Sequence, residues 1–140
     1  MQNFYDWFSR CQGDWKSYRR YLTLPAHKDN TYTTEFTILC NDNNKVSINW
    51  EGEASAGVMD MVIEDQMLHR NIGYFSDSPT DSKMSFIDED TVLFESAYDG
   101  MSFREEIRLL DGDKARLRQT VGKGANGKVF LVGQYWEERT

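Results

Sequence analysis

The sequence predicts an all-β protein: an antiparallel barrel of about ten strands preceded by one N-terminal amphipathic helix. Three observations carry that prediction. Segments of strictly alternating residues recur along nearly all of the 140 residues, parted by polar turns rich in Gly, Asn and Asp. Only one stretch, at the N-terminus, has helical periodicity instead. The aromatic share is 14%, enough large side chains for a dense core, or for a pocket that takes a flat conjugated ligand. Many short strands at roughly 8 to 12-residue spacing form either a barrel or a sandwich. A barrel of this size can enclose one small ligand, whereas a sandwich is filled by its own side chains.

Asn3 to Gln12 sets Phe4, Trp7, Phe8 and Cys11 on one helical face, with Gly13 as the stop. Such a helix either plugs one end of a barrel or packs on its outside. From Asp14 the period becomes two. Trp15, Ser17, Arg19, Tyr21 and Thr23 alternate with Lys16, Tyr18, Arg20, Leu22 and Leu24 up to Pro25, giving the first strand. Pro25 to Asn30 is a polar loop, and Tyr32 to Leu39 is a second strand ending at Asn41-Asp42-Asn43-Asn44. Val46, Ile48 and Trp50 mark a third, stopped by Gly52. Val58 to Glu64 and Gln66 to Tyr74 follow, then a loop from Ser76 to Ser82 around Pro79. Lys83 to Ile87 and Thr91 to Tyr98 come next. Met101 to Leu109, Lys114 to Val121 and Lys128 to Glu138 complete an antiparallel meander. The glycine-rich run from Gly122 to Gly127 lies between two strands, so it reads as a hairpin rather than a phosphate cradle. No repeat or linker divides the chain. One domain over 1–140 is expected, with the helix at about 3–12 and the barrel at about 14–139.

Charge narrows the function. Lys and Arg number 16 against 23 Asp and Glu, a net charge of −7, so no nucleic-acid partner is expected. No apolar run is long enough to cross a bilayer, and Gln2 to Gly13 is too polar for a signal-peptide core. The expectation is a cytoplasmic protein without a membrane partner. Cys11 and Cys40 have neither metal-ligand nor redox-motif spacing and read as buried small residues. His27 and His69 are too few and too scattered for a metal site, and none is expected. No Ser-His-Asp or Cys-His nucleophile motif is present.

The unusual charges lie in the middle of strands, where ionisable groups are scarce unless one face is wet or lines a polar cavity. Glu105 and Glu106 are adjacent, so they point to opposite faces and cannot form a dyad by themselves. Glu105 shares its face with Met101, Phe103, Ile107 and Leu109, where burial is expected to raise its pKa and poise it to share a proton. Glu106 shares its face with Ser102, Arg104 and Arg108, and those arginines can neutralise it. Arg116 and Arg118 leave one face about 7 Å apart, from roughly 3.4 Å of rise per residue. Two forks at that separation suit two carboxylates of one ligand. The alternative is a surface ladder with Lys114, paired to Glu106 or Glu137. Trp15, Trp50 and Trp136 read first as core residues and second as ligand walls.

These residues resemble the S/U-type phycobiliprotein lyases, the CpcS/CpeS group. Gly13-x-Trp15-x-Ser17-x-Arg19 after an aromatic helix is similar to that family's opening signature. Trp50-Glu51-Gly52 looks like its Trp-acid-Gly element, and Leu68 with Arg70-x-x-Gly73-Tyr74 resembles its mid-chain motif. Tyr98, Glu105-Glu106 and Arg116-Leu117-Arg118 match in order and spacing, as does the closing Glu137-x-Arg139. The chain departs from the pattern in being shorter than typical members and in having Gln119 where a small hydroxyl residue is usual. The resemblance implies a lipocalin-like barrel of about ten strands. It also implies an activity: taking up a free linear tetrapyrrole, phycoerythrobilin or phycocyanobilin, and delivering it to a cysteine of a phycobiliprotein subunit through a thioether. Phycoerythrobilin is the first choice. Glu105, then Glu106, would be the catalytic carboxylates. Arg19, Arg116 and Arg118 would hold the propionates, and Trp15, Trp50, Tyr98 and Trp136 would supply flat walls. No cofactor is implied, since the bilin is the bound substrate. A homodimer or a related lyase subunit is a further implied partner, and the location would be the cytoplasm or a plastid stroma.

Overall fold

In the computed structural model, which describes residues 3–53, 55–72 and 79–140, one helix precedes ten antiparallel strands that close into a barrel. The helix is α1 (Phe4–Arg10), followed by β1 (Gly13–Thr23), β2 (Lys28–Asn41), β3 (Lys45–Gly52), β4 (Ala56–Glu64) and β5 (Met67–Arg70). β6 (Thr80–Asp88), β7 (Thr91–Tyr98), β8 (Met101–Leu110), β9 (Ala115–Lys123) and β10 (Val129–Arg139) complete it. Every strand pairs with its sequence neighbours, and β1 pairs with β10 to close the wall. Closure leaves no sheet edge to be covered, which a strictly alternating sequence of this length can achieve. The expected barrel is the fold, and the sandwich is excluded.

The period-2 pattern sorts every strand into an inner and an outer face. Inner residues include Trp15, Ser17 and Arg19 of β1, Phe36 and Ile38 of β2, and Met59, Met61 and Ile63 of β4. On β7 to β10 they include Phe94, Glu105, Ile107, Arg116, Arg118, Tyr135 and Glu137. The two ends of the barrel differ in kind. One end is closed by α1, whose Trp7 and Phe8 are buried against Phe94. Asn3 caps this helix by accepting a hydrogen bond from the Asp6 amide at 2.8 Å. Trp7 Nε1 donates to the Asp90 carbonyl at 2.9 Å, and the Arg10 guanidinium bridges Asp90 and Asp113, so the plug is pinned to two loops. At this end Trp7, Phe8, Cys11, Ile38, Val46, Met59, Leu68, Met84, Val92 and Ile107 form a dry core. The amphipathic stretch is therefore a plug, and its apolar stripe is what fills the end of the barrel.

Several boundaries differ from the sequence reading. The helix ends at Cys11, and Gly13 opens β1 instead of capping the helix; its φ of +125° suits only glycine, and a Cβ there would stand 2.7 Å from Arg139 Nη1. β6 begins at Thr80, inside the stretch expected to be a loop, because Thr80 and Ser82 face inward as buried hydroxyls. A period-2 pattern written in hydroxyl residues carries no hydrophobic signal. β5 is shorter than expected and ends at Arg70; Gly73 and Tyr74, together with 75–78, lie outside the described residues.

Candidate functional site

Among the described residues, the interior is polar along three consecutive strands, β8, β9 and β10, from beside the plug toward the opposite end. In-register pairing sets Glu105 of β8 opposite Thr120 of β9, Arg118 opposite Tyr135 of β10, and Arg116 opposite Glu137. Six inner positions on these strands thus converge in one hydrogen-bonded chain. Arg116 Nε donates to Glu137 Oε1 at 2.9 Å and Arg116 Nη2 reaches the same oxygen at 2.8 Å. Arg118 bridges two carboxylates, Glu137 Oε2 at 3.3 Å and Glu105 Oε2 at 3.0 Å. Thr120 Oγ1 also donates to Glu105 Oε2 at 3.0 Å, and Tyr135 OH donates to Thr120 Oγ1 at 3.2 Å. The Arg118 guanidinium lies 4.4 Å from the Tyr135 ring centroid, a cation–π contact in a water-poor setting.

Burial penalises every charge here, yet the pairing prevails. Desolvation pushes the Glu137 carboxyl up, but the adjacent Arg116 and Arg118 charges more than reverse it and hold its pKa at about 2. Glu137 is fully buried, with 0% of its surface exposed. Glu105 behaves alike: burial raises its pKa, and the charges of Arg118 and Arg70 with the bonds from Arg118 and Thr120 carry it below the ordinary value. The expected upward shift of Glu105 is therefore corrected. An apolar strand face suggested desolvation alone, whereas two guanidinium groups from other strands hold it ionised. Desolvation disfavours the charge on Arg116, but Glu137 keeps its pKa raised. Burial keeps the Tyr135 phenol protonated, its pKa well above the usual one.

The residues singled out in the sequence separate into three groups. Glu105, Arg116, Arg118, Arg19 and Tyr98 face the lumen. Arg19 donates to Ser17 Oγ at 3.0 Å and stands 5.4 Å from the Tyr135 ring centroid; among the described residues no carboxylate lies within ion-pair reach of it. Tyr98 stacks on Phe103 with ring centroids 4.9 Å apart. Trp15 and Trp50 also face inward, but in the wall and floor near the plug. Trp15 is fully buried, stacked with Phe36, wedged between Arg116 and Arg139, and bonded through Nε1 to the Cys11 carbonyl. Trp50 lies flat on Gly57, where a Cβ would come within 2.7 Å of its ring.

Glu106 and Trp136 are on the outside, correcting their place among candidate site residues. Glu106 pairs loosely with Arg104 at 3.7 Å on the solvated face. Trp136 is 42% exposed, bonded to Glu138, and stands in register between Tyr18 and Leu117 on the outer wall. Both carry the even-numbered parity that β8 and β10 turn outward.

Sequence reasoning offered Glu137 as a partner of Arg116 and Arg118 only on a surface ladder, not in the lumen, and it missed Thr120, Tyr135 and Ser17 as members of the network. Their inward parity was readable, since each shares a face with Arg116, Arg118 or Arg19 once the register is known. A small cavity of about 20 Å³ adjoins the chain, lined by Arg70, Phe94, Ser96, Tyr98, Phe103 and Glu105 with Thr120. Glu105 Oε1 is buried without a hydrogen-bond partner among the described residues. No group of potential metal ligands clusters among the described residues.

A barrel of this size, plugged at one end and with a charged, hydrogen-bonded interior, belongs to the class of folds that can enclose one small ligand. No family model matches the sequence. Among curated relatives, a candidate phycocyanobilin lyase, CpcS 2 of Nostoc sp., is 26% identical over 167 aligned residues covering 96% of this chain and 89% of that protein. A candidate chromophore lyase, CpcV of Picosynechococcus sp., is 38% identical over 77 residues; the match spans 55% of this chain and about a third of that protein's length, 37%. In structure, the S-type phycobiliprotein lyase CpeS from Guillardia theta superposes with a TM-score of 0.74 at 18% identity, covering 99% of this chain and 93% of that one. A DUF3598-family protein of unknown function from Nostoc punctiforme gives 0.72 at 12% identity, over 95% of this chain and 49% of that one. The chain is thus similar over nearly its whole length to a CpcS-type relative, and it shares the ten-stranded barrel of the S-type lyase CpeS.

Proposed function

We propose that the chain is a bilin lyase: it binds a free linear tetrapyrrole in the lumen and transfers it to a cysteine of a phycobiliprotein subunit. The observation that carries this reading is a complementary pair facing one space. Among the described residues, Arg19 offers a guanidinium bonded to a hydroxyl and set against an aromatic face, with no carboxylate in ion-pair contact, and Glu105 offers a buried, ionised carboxylate with one oxygen free of hydrogen bonds. A bilin brings the matching groups, propionates for the cation and pyrrole N–H donors for the carboxylate. Arg116 and Arg118 are already committed to Glu137 and Glu105. Their part is to fix Glu105 and make the lumen cationic, while Arg19 takes a propionate directly.

In the transfer, the acceptor sulfur forms a C–S bond to the exocyclic ethylidene carbon of ring A. The π electron pair of that double bond collects the thiol proton at the adjacent ring carbon, and nothing leaves. The lyase contributes position and electrostatics. Glu105, held ionised, accepts from the pyrrole N–H groups and favours the protonated, more electrophilic bilin. The nucleophile belongs to the acceptor. Burial raises the pKa of both Cys11 and Cys40, keeping them thiols. Cys11→Ser combined with Cys40→Ser is therefore expected to keep transferring bilin, checked as covalent colour on the acceptor.

The cavity of about 20 Å³ beside Glu105 holds roughly one water, whereas ligand pockets typically start at about 300 Å³. A tetrapyrrole therefore enters from the end opposite the plug and displaces side chains on the way. The decisive experiment incubates the chain with phycoerythrobilin or phycocyanobilin and candidate acceptor subunits, read by zinc-enhanced fluorescence on a denaturing gel. Colour that survives denaturation, with phycoerythrobilin the favoured substrate, is expected. Colour lost on denaturation makes the chain a bilin carrier, and no spectral shift at all refutes a bilin site. Arg19→Ala is expected to weaken bilin binding about tenfold, the loss of one charge-assisted contact, in an absorbance titration.

A further inference from the structure

Among the described residues, an aromatic ring stands between Glu105 and the end of the lumen opposite the plug. On the inner face of β7, β8 and β9, Glu105 lies in one cross-strand row with Phe94 and Thr120, and the next row away from the plug is Ser96, Phe103 and Gly122. Phe103 thus stands one step farther from the plug than the carboxylate. It is buried, stacks on Tyr98, and meets Phe130 edge-to-face with centroids 5.9 Å apart. Its ring lies back on Gly122. A Cβ at Gly122 would come within 2.9 Å of Phe103 Cε1 and 3.2 Å of Phe130 Cε1. Both are side-chain atoms, and the backbone of Gly122 has no positive φ. The missing side chain therefore serves ring clearance, not chain conformation, a known use of glycine inside a strand.

We infer that Phe103, seated on Gly122, is the gate that determines access of the tetrapyrrole to Glu105. This rests on the bilin-binding reading above. With the ring back on Gly122, the space beside Glu105 admits about one water, so a pyrrole ring reaches the carboxylate only when Phe103 swings aside. Cutting the ring away opens the passage. Filling the space behind it drives the ring into the passage. A residue that merely lined the site would show the opposite sign, because removing a wall contact weakens binding without speeding entry.

Stopped-flow absorbance of bilin binding to the full chain tests this, with thermal melts confirming that each variant is folded. Phe103→Ala is expected to raise the association rate about tenfold, and Gly122→Ala to lower it about tenfold. In the double variant, Phe103→Ala restores the rate to at least that of the unaltered chain. An unchanged or slower association rate in Phe103→Ala overturns the inference, and it decides the question even if Gly122→Ala fails to fold. Slow association in Gly122→Ala that persists in the double variant overturns it as well. Absence of bilin binding by the unaltered chain refutes the bilin-binding reading itself, which separates the two failures.

Discussion

Glu137→Ala is expected to lower stability by about 3–5 kcal/mol, the range seen when one partner of a buried ion pair is removed. Glu137 is the only carboxylate in the network that bonds both Arg116 and Arg118. Its loss leaves Arg116, buried with 4% of its side-chain surface exposed, against Trp15 and Phe36 without its carboxylate. Arg118 loses one of its two anchors. For a chain of this size, a loss of that order lowers the melting temperature by about 10 °C or more, which thermal unfolding by circular dichroism measures. The same group shapes acid stability. Its folded pKa of about 2 lies below the ordinary 4.5, so its contribution is fully present above pH 4.5 and is lost as pH falls from there toward 2. Linkage over that interval amounts to on the order of 3 kcal/mol. The acid limb of the stability profile is therefore expected to be shallower in Glu137→Ala than in the unaltered chain. Glu105, shifted in the same direction, keeps a residual slope. Equal stability of the two proteins at neutral pH, or identical acid limbs, would show that the pair is not the brace inferred here.

Glu105→Gln is expected to slow bilin transfer by about 10²–10³-fold, the usual effect of removing one preorganised electrostatic contact from a transition state. Bilin binding should weaken only a few-fold. The amide retains an oxygen for Arg118 and Thr120, so the neighbouring network keeps its shape, while the negative charge that favours a protonated bilin is gone. The separation of transfer from binding is the diagnostic result. It is read by timing covalent labelling of the acceptor subunit and titrating bilin absorbance on the same preparations. Equal losses in both would make Glu105 a simple binding contact. No loss in either would place the reacting end of the bilin elsewhere in the lumen. Because Glu105 stays ionised, transfer by the unaltered chain should show no decline ascribable to this residue between neutral pH and pH 5.

Much of this was legible before any coordinates. Alternation alone announced all ten strands, though β2 and β6 begin earlier and β5 is shorter than expected, and the one seven-residue helix was announced by Phe4, Trp7, Phe8 and Cys11 on a shared face. Parity put Glu105 and Glu106 on opposite faces, as the barrel bears out. The start of β6 was hidden because Thr80 and Ser82 point inward with hydroxyls, which leave no hydrophobic trace. Trp136 misled for the converse reason. A tryptophan near a strand end suggests burial, but its parity follows Glu138, and both face solvent.

The sequence by itself determined the architecture, because a side-chain period of two is a local property that any strand imposes on its residues. It also determined which charges share a face within one strand. Only the tertiary structure decided what those charges meet. Arg116 and Arg118 could equally have formed a surface ladder or a ligand clamp, and the barrel made them neither. Cross-strand register brings Glu137 and Glu105 against them in the lumen. That pairing reverses the expected pKa shift of Glu105, while Arg19, among the described residues, meets no carboxylate within ion-pair distance. Register and closure are relations between distant segments, and an energy of several kcal/mol per buried charge depends on which partner they supply.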